Sequence, residues 1–275
     1  MSRNELPQKH PKLAIIMPLL LLTLASYPAQ VQAQLTRSLN TPFSGRSLSN
    51  IVANTPIHLA QNFPDEGDPK GRRRGGTSRR EGCPVLKTPI TALVPGEETN
   101  GTSFLASTVA EYPTVWVYVP ELPTNLRSGE FVLQDEEGND VLRTAIPLPG
   151  KAGAIAISLP PNRKYALKQN SKYHWFFRVY CGEPQNKPEY FFVDAWMQRV
   201  ALTPDLQRQL GTAKSREYNA YAAHNVWYDA VTNLAELRRT NPGDRVLAQE
   251  WTNLFKVVGL EELAQAPIVQ HYTPE

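Results

Sequence analysis

Residues 172–181, KYHWFFRVYC, give the clearest indication of the fold of this chain. Neighbouring side chains on a β-strand point to opposite faces of the sheet. One face of this strand would carry Tyr173, Trp175, Phe177, Val179 and Cys181. The other would carry His174, Phe176, Arg178 and Tyr180. A half-exposed antiparallel strand has one apolar and one polar face. Because both faces here are apolar or aromatic, we expect a strand that is covered on both sides.

Short apolar runs alternate with Pro, Gly and Asn turns on either side of this strand. Between residues 91 and 200 the runs are TALVP, TVWVYVP, EFVLQDEEGNDVLRTAIPLP, GAIAISLPP and YFFVDAWMQRV. Strands of this length, separated by turn residues, predict an antiparallel sandwich or barrel. We therefore predict a mainly β fold with α, in which residues 81–201 form an antiparallel Ig-like β-sandwich.

Beyond residue 201 the apolar spacing becomes helical. Thr203 followed by Pro204 is typical of a helix start, because threonine caps the first turn and proline fits its first position. A longer helix is predicted over residues 215–239, where apolar side chains recur every three or four positions. These side chains are Ala220, Ala223, Trp227, Val231 and Leu234.

A further helix is predicted after the turn NPGD, with Asp244 as its cap and Gly259 at its end. Two amphipathic helices joined by a short link form a helical hairpin. We expect residues 202–275 to form a C-terminal helical segment that packs, as this hairpin, on the aromatic outer face of the sandwich.

The N-terminus has the three parts of a secretory signal peptide. Basic residues precede the apolar run LAIIMPLLLLTLA, and Val31 and Ala33 supply small residues before a cleavage site. The run is shorter than the roughly 20 residues of a membrane-spanning helix. We predict a signal peptide over residues 1–33, export to the periplasm or the extracellular space, and no transmembrane span after cleavage. An uncleaved anchor is the alternative.

Cys83 and Cys181 are the two cysteines of the chain. An even pair in an oxidising compartment predicts a disulfide. Two separately buried thiols are the alternative.

Residues 34–80 are rich in Ser, Asn, Gln, Thr, Gly and Pro and show no sustained apolar period. Such a segment buries too little apolar surface to fold, so we predict disorder that ends in an Arg/Gly-rich tether, GRRRGGTSRREGC. Its arginines could contact anionic polysaccharide, lipid headgroups or another envelope protein, and export argues against nucleic acid. These arginines are Arg72, Arg73, Arg74, Arg79 and Arg80.

Aromatic side chains on the predicted strands offer a second candidate surface. They are Trp116, Tyr118, Trp175 and Trp196. Such rings can stack on sugars, because they present flat apolar faces with polar edges. The alternative is that they form the surface on which the helical hairpin packs.

The sequence contains no nucleophile elbow, HExxH, P-loop or dinucleotide-binding glycine pattern. We therefore predict no catalytic residue, metal or cofactor. His174 is interpreted as a packed imidazole. Asp194 is interpreted as a buried acid that pairs with Arg178 or Arg199.

Three blocks of the chain are distinctive in combination. They are GRRRGGTSR followed by a cysteine and TALVP; YPTVWVYVP through EFVLQDEEGNDVLRTAIPLPG and AISLPP to YHWFFRVYC; and WYDAVTNLAELRRTNP followed by EWTNLFKVVGLEELA. Together, over about residues 71–270, the chain resembles the cyanobacterial domain-of-unknown-function family 928. The resemblance implies an exported cyanobacterial protein. It supplies no activity and no catalytic residues, because the family has no assigned activity.

These observations favour a non-enzymatic binding or structural module of the cell envelope. The alternative is an envelope glycan-active hydrolase whose carboxylate pair is too dispersed in sequence to recognise, since glycosidases require only two suitably separated carboxylates.

Overall fold

The computed structural model describes residues 71–75, 82–96, 104–126, 128–183, 186 and 189–275. The predicted signal peptide, residues 34–70 of the predicted disordered segment, Arg79 and Arg80 lie outside these residues. The strands are β1 (Arg74–Gly75), β2 (Ile90–Ala92), β3 (Leu105–Thr108), β4 (Thr114–Val119), β5 (Ser128–Gln134), β6 (Asp140–Pro147), β7 (Gly153–Ser158), β8 (Lys172–Tyr180), β9 (Tyr190–Arg199) and β10 (Ile268–Tyr272). The α-helices are α1 (Pro204–Thr212), α2 (Glu217–Ala223), α3 (Trp227–Thr240) and α4 (Arg245–Val257).

The strands form two five-stranded sheets. The first sheet has the order β1-β2-β4-β7-β10, and the second has the order β3-β9-β8-β5-β6. The predicted mainly β fold with α is thereby confirmed, in a sandwich-like arrangement. The expectation of wholly antiparallel sheets is wrong at two edges, because β3 runs parallel to β9 and β10 runs parallel to β7. The finer immunoglobulin-like topology stays a prediction.

The core contains the inner faces that strand alternation predicted. On β8 the alternate residues Tyr173, Trp175, Phe177 and Val179 are buried. Val115, Val117 and Val119 of β4 belong to the same buried apolar cluster. The periodicity of two therefore identified the core-facing side chains of both sheets.

The predicted helix ends are confirmed. The Thr203 side chain accepts a hydrogen bond from Leu206 N at the start of α1. The Asp244 carboxylate accepts from two backbone N–H groups at the start of α4. Gly259, just beyond α4, has a φ of 66°, the left-handed conformation that favours glycine.

The single long helix predicted over residues 215–239 is wrong. The chain forms α2 and α3 instead, separated by a break at residues 224–226 in which Asn225 has a φ of 58°. A residue in the left-handed region cannot continue a right-handed helix. Beyond the break, Trp227 is buried and its indole N–H donates to Leu93 O at 2.9 Å. Apolar spacing alone did not reveal this change of direction.

The helices pack on the outer face of the first sheet, as predicted. Trp116 of β4 is 1% exposed, and its indole N–H donates to the Thr232 hydroxyl of α3 at 3.0 Å. Its ring makes an edge contact with Trp251 of α4, with the centroids 6.4 Å apart. The outer face of β8 is filled differently, by side chains of neighbouring strands: the rings of His174 and Trp196 stack with their centroids 4.3 Å apart.

The disulfide is confirmed. Cys83 and Cys181 are bonded. Their Cα atoms are 5.2 Å apart, and the two residues are separated by 98 positions in the sequence. The bond joins the segment before β2 to the end of β8.

The predicted domain start at residue 81 is wrong for the arginine-rich segment. Arg74 pairs with Thr91 in the first sheet, while Arg72 and Asp194 exchange backbone hydrogen bonds at the second. Gly75 lies so close to β9 that a Cβ atom there would be 2.3 Å from Phe192 O. Residues 71–75 therefore belong to the folded domain rather than to a tether.

Candidate functional site

A groove lies beside α3, on the outer face of the first sheet. In the register of that sheet Trp116 and His271 lie on either side of Ala156. The small alanine side chain leaves space between the two rings. This space is a pocket of about 220 Å³, bounded by Glu236 and Arg239 of α3 and by residues 268–271.

A second pocket of about 290 Å³ adjoins the first, since Glu236 lines both. Its lining is rich in hydroxyl, amide, carboxyl and phenol groups. They belong to Thr108, Tyr112, Thr114, Tyr221, Asp229 and Asn233. We call the two adjoining pockets the α3 groove. It combines apolar walls with convergent polar groups, as ligand-binding clefts do.

Asp229 lies at the end of the groove near the start of α3. Its Oδ2 accepts hydrogen bonds from Thr108 Oγ1 at 2.7 Å and from Val109 N at 3.2 Å. Burial raises the pKa of Asp229 to about 6, and these two hydrogen bonds partly oppose the shift. The side chain therefore links α3 to the residues after β3, and it changes protonation state under mildly acidic conditions.

Glu236 lies two turns further along α3. Seven residues of helix separate two Cα atoms by about 10.5 Å, and they return to the same face. Glu236 Oε2 accepts from Arg239 Nε at 2.8 Å, and its Oε1 lies 3.4 Å from His271 Nδ1. Two carboxyl groups of one helix thus line a single groove.

Three side chains from separate strands continue from Glu236. His271 Nε2 lies 2.8 Å from Ser158 Oγ, and Ser158 Oγ lies 2.7 Å from Thr114 Oγ1. Thr114 begins β4, Ser158 ends β7 and His271 is in β10. Hydrogen bonds join Thr114, Ser158 and His271, and the ion-pair contact between His271 and Glu236 extends this row to α3.

The four aromatic residues predicted as one candidate surface do not share a face. Trp116 is packed under α3 and α4, and Tyr118 lies partly buried on the same face of β4, with its pKa raised by burial. Trp175 is fully buried between the sheets, where its indole N–H donates to Tyr228 OH at 2.8 Å. Trp196 lies on the outer face of the second sheet. For Trp116 the structure shows the packing alternative.

The arginines predicted to contact an acidic surface have other partners. Arg73 is 4% exposed, and its guanidinium donates to backbone carbonyls of Gly96, Val258 and Gly259, so the prediction is wrong for Arg73. A side chain so enclosed cannot reach a surface. Arg74 pairs with Glu262 at 2.5 Å, and the Arg72 guanidinium lies 4.5 Å from the centre of the Phe192 ring. Anionic contact by Arg72 or Arg74 stays a prediction.

Asp194 is buried, as expected, but its side-chain partner differs from the predicted arginines. Its Oδ2 lies 2.7 Å from His174 Nε2, whereas Arg178 pairs with Glu130 at 3.0 Å. Asp194 and His174 lie on neighbouring strands two residues out of register, so a sequence pattern on either strand could not pair them. The packed-imidazole interpretation of His174 agrees with its stacking on Trp196.

The row of side chains beside the α3 groove was not predicted from the sequence. Ser158, Glu236 and His271 are far apart in sequence and meet only because β10 pairs with β7. Residues 202–275 were predicted to be a helical segment, so the strand Ile268–Tyr272 was not anticipated. The available clue was the content of β-branched and aromatic residues in IVQHYT, which favours a strand.

Two negative findings complete the description. No group of three or more His, Cys, Asp or Glu side chains among the described residues could hold a metal ion. Within the same ranges no helix has the length and apolar character to cross a bilayer.

A search of the curated proteins found no match. The sequence profile of the family described as Domain of Unknown Function (DUF928) matches residues 74–268, from β1 to the first residue of β10. The match covers well over half of the 275 residues. The chain therefore belongs to the DUF928 family.

Proposed function

We propose that this protein is an exported cell-envelope binding module that holds a neutral glycan chain in the α3 groove. The observation that carries the proposal is the continuity of two polar pockets along one helix, with Glu236 common to both. A groove of this form suits an extended, hydroxyl-rich ligand better than a compact one.

The side chains of the groove match the chemistry of a sugar. Carboxylates and amides accept and donate hydrogen bonds to hydroxyl groups, and Asp229, Glu236 and Asn233 line the site. The rings of Tyr112 and Tyr221 offer apolar faces for the C–H surfaces of a pyranose. Arg239 also lines the groove and pairs with Glu236, so Asp229 leaves the lining with a negative charge that favours a neutral chain over an anionic one.

The alternative, a glycan hydrolase that uses Asp229 and Glu236 as its carboxylate pair, is less well supported. Asp229 Oδ2 is occupied by Thr108 and Val109, and Glu236 is shared between Arg239 and His271. A general acid must present its carboxyl group to the glycosidic oxygen. Groups held in this way are better suited to accepting hydrogen bonds from a ligand.

Export to the periplasm or the extracellular space is part of the proposal. Disulfides persist in oxidising compartments and are rare in a reducing cytoplasm. The Cys83–Cys181 bond supports export together with the signal-peptide pattern of residues 1–33.

A pair of bulky substitutions tests the proposed site. Ala110 is partly buried and lines the groove, so Ala110→Tyr should fill part of it. Ala223 is exposed at the end of α2, away from the groove lining, and Ala223→Tyr is the matched control. On an array of neutral and anionic glycans, we expect the unsubstituted protein and Ala223→Tyr to retain the same neutral glycan and Ala110→Tyr to lose it. Equal retention by a folded Ala110→Tyr variant, or no retention by any of the three, would overturn the proposal.

A further inference from the structure

We propose that Ser158, His271 and Glu236 form a serine-nucleophile relay that hydrolyses carboxylic esters in the α3 groove. The assignment of these esters to O-acyl groups of a glycan rests on the proposed function. The relay itself rests only on the geometry of the three side chains. It departs from the expectation of a non-enzymatic module.

The distance between Ser158 and His271 suits a nucleophile and its base, and Glu236 is in ion-pair contact with the other side of the imidazole ring. Ser158 Oγ and His271 Nε2 are 2.8 Å apart, within hydrogen-bonding distance. The opposite ring nitrogen, His271 Nδ1, faces Glu236 Oε1 at 3.4 Å. A carboxylate on that side favours the tautomer that carries its proton on Nδ1 and leaves Nε2 free to accept the serine proton.

Thr114 fixes the direction of the hydrogen bonds. With Nε2 as acceptor, the Ser158 hydroxyl donates to His271, and Ser158 Oγ can accept from the Thr114 hydroxyl at 2.7 Å. Thr114 is 8% exposed, so its hydroxyl has little access to water as an alternative partner. The hydrogen bonds from Thr114 to Ser158 and from Ser158 to His271 then run in one direction, toward Glu236.

The relay is open to a substrate. The side chains of His271 and Glu236 are 43% and 36% exposed, and Ser158 is partly buried. Thr114 and Glu236 line the larger pocket, and His271 and Glu236 line the smaller one. Ser158 lines neither pocket, but it is hydrogen-bonded to Thr114 on one side and to His271 on the other. An ester bound across the boundary between the pockets would place its acyl group on one side and its alcohol on the other.

The reaction balances with water as its only co-reactant. Ser158 Oγ forms a bond to the ester carbonyl carbon as its proton passes to His271 Nε2. The carbon–oxygen bond to the leaving alcohol then breaks, and the alcohol takes that proton. Water then attacks the acyl-serine and loses a proton to His271. The bond between the acyl carbon and Ser158 Oγ breaks, His271 returns the proton to Ser158 Oγ, and the carboxylic acid leaves.

An ester is favoured over an amide. An alcohol leaves a tetrahedral intermediate more readily than an amine does, and it requires less complete protonation by the base. The exposure of His271 also admits the water needed for the second half of the reaction. Glu236 acts here as a positioning residue, because it reaches the reacting atoms only through His271.

Covalent labelling of the full chain with a fluorophosphonate tests the relay, with p-nitrophenyl acetate as the ester substrate. We expect one adduct, located on Ser158 by peptide mapping. Ser158→Ala should abolish labelling, and His271→Gln should slow it at least tenfold. Glu236→Gln should lower kcat at least tenfold with little change in KM. Ser107→Ala, which alters another partly buried strand serine, should label at the rate of the unsubstituted protein.

Absence of an adduct on Ser158 would overturn the relay, as would unchanged labelling of His271→Gln. The mapping uses the unsubstituted protein, so it decides the question even where a variant fails to fold. Glycan binding is measured separately on the same preparations. Glycan retention without labelling would contradict the relay alone, whereas labelling without glycan retention would contradict the proposed function alone.

Discussion

Arg73 Nη2 donates a hydrogen bond to Val258 O at 2.7 Å, joining residues that are 185 apart in the chain. The same nitrogen lies 3.0 Å from Gly259 O, and the other terminal nitrogen donates to Gly96 O. The last carbonyls of a helix lack intrahelical partners. Arg73 supplies donors to the carbonyls just beyond α4, and so ties the start of the described fold to its helical cover.

Arg73→Ala should therefore destabilise the protein by about 2–4 kcal/mol, because carbonyls left without a donor in a buried site are costly. Arg72→Ala is the matched control, because Arg72 is the neighbouring residue and its guanidinium is exposed and lies over the Phe192 ring. We expect the control to lose less than about 1 kcal/mol. Urea unfolding followed by tryptophan fluorescence measures both. Equal losses in the two variants would contradict the role given to Arg73.

Gly75→Ala should lower stability by at least about 1 kcal/mol, because the added Cβ would lie 2.3 Å from the backbone oxygen of Phe192. The contact is with backbone, so no side-chain rotation relieves it. Gly211→Ala provides the control near the end of α1, where a Cβ meets nothing within 4 Å. It should raise stability by a few tenths of a kcal/mol, because alanine favours helix over glycine. Thermal melting of both variants checks the opposite signs.

Replacing both Cys83 and Cys181 with serine should reduce the free energy of unfolding by about 2–4 kcal/mol, because the bond constrains a long loop in the unfolded chain. The unsubstituted protein should lose a similar amount when reductant is added. Reductant should leave the double variant unchanged. A reductant effect of equal size on the variant would mean that the loss does not come from this bond.

Asp229 should make stability depend on pH. Burial raises its pKa from 3.8 to about 6 in the folded protein, so the folded state binds more protons than the unfolded state between those values. Stability therefore falls as the pH rises from about 4 to 6, and the cost remains at higher pH. Asp229→Asn keeps an oxygen for Thr108 and Val109 and removes the charge. The difference in the free energy of unfolding between the variant and the unsubstituted protein should shift in favour of the variant by on the order of 1–3 kcal/mol from pH 4 to pH 7.5.

Unfolding curves at several pH values measure this effect. Thr108→Val separates the hydrogen bond from the charge, because it removes the Thr108 donor and leaves the carboxyl group in place. An Asp229→Asn variant with the same pH dependence as the unsubstituted protein would contradict the assigned pKa.

The fold was predictable where its determinants are local. Alternation on β8 identified the buried set that includes Trp175 and Phe177. Thr203 and Asp244 marked the helix starts through side chains that cap adjacent N–H groups. These features depend on residues that are only a few positions apart, so a short stretch of sequence is enough to predict them.

The groove was not predictable, because its determinants are non-local. Ser158 and His271 meet through a parallel strand pair that closes only after four helices. The prediction for the arginine-rich segment failed for a similar reason. Its polar composition predicts disorder, but Arg73 donates hydrogen bonds to carbonyls near the other end of the chain. Composition describes a segment by itself and omits such partners.

Hydrogen–deuterium exchange with and without a glycan would locate a ligand bound to the unsubstituted protein. Suitable probes are a neutral cello-oligosaccharide and an N-acetylglucosamine oligomer, each at saturating concentration. A glycan bound in the α3 groove should slow exchange in residues 108–114, 227–240 and 268–272, which border it. Protection confined to the outer face of β8 and β9, with unchanged exchange along α3, would contradict the proposed function.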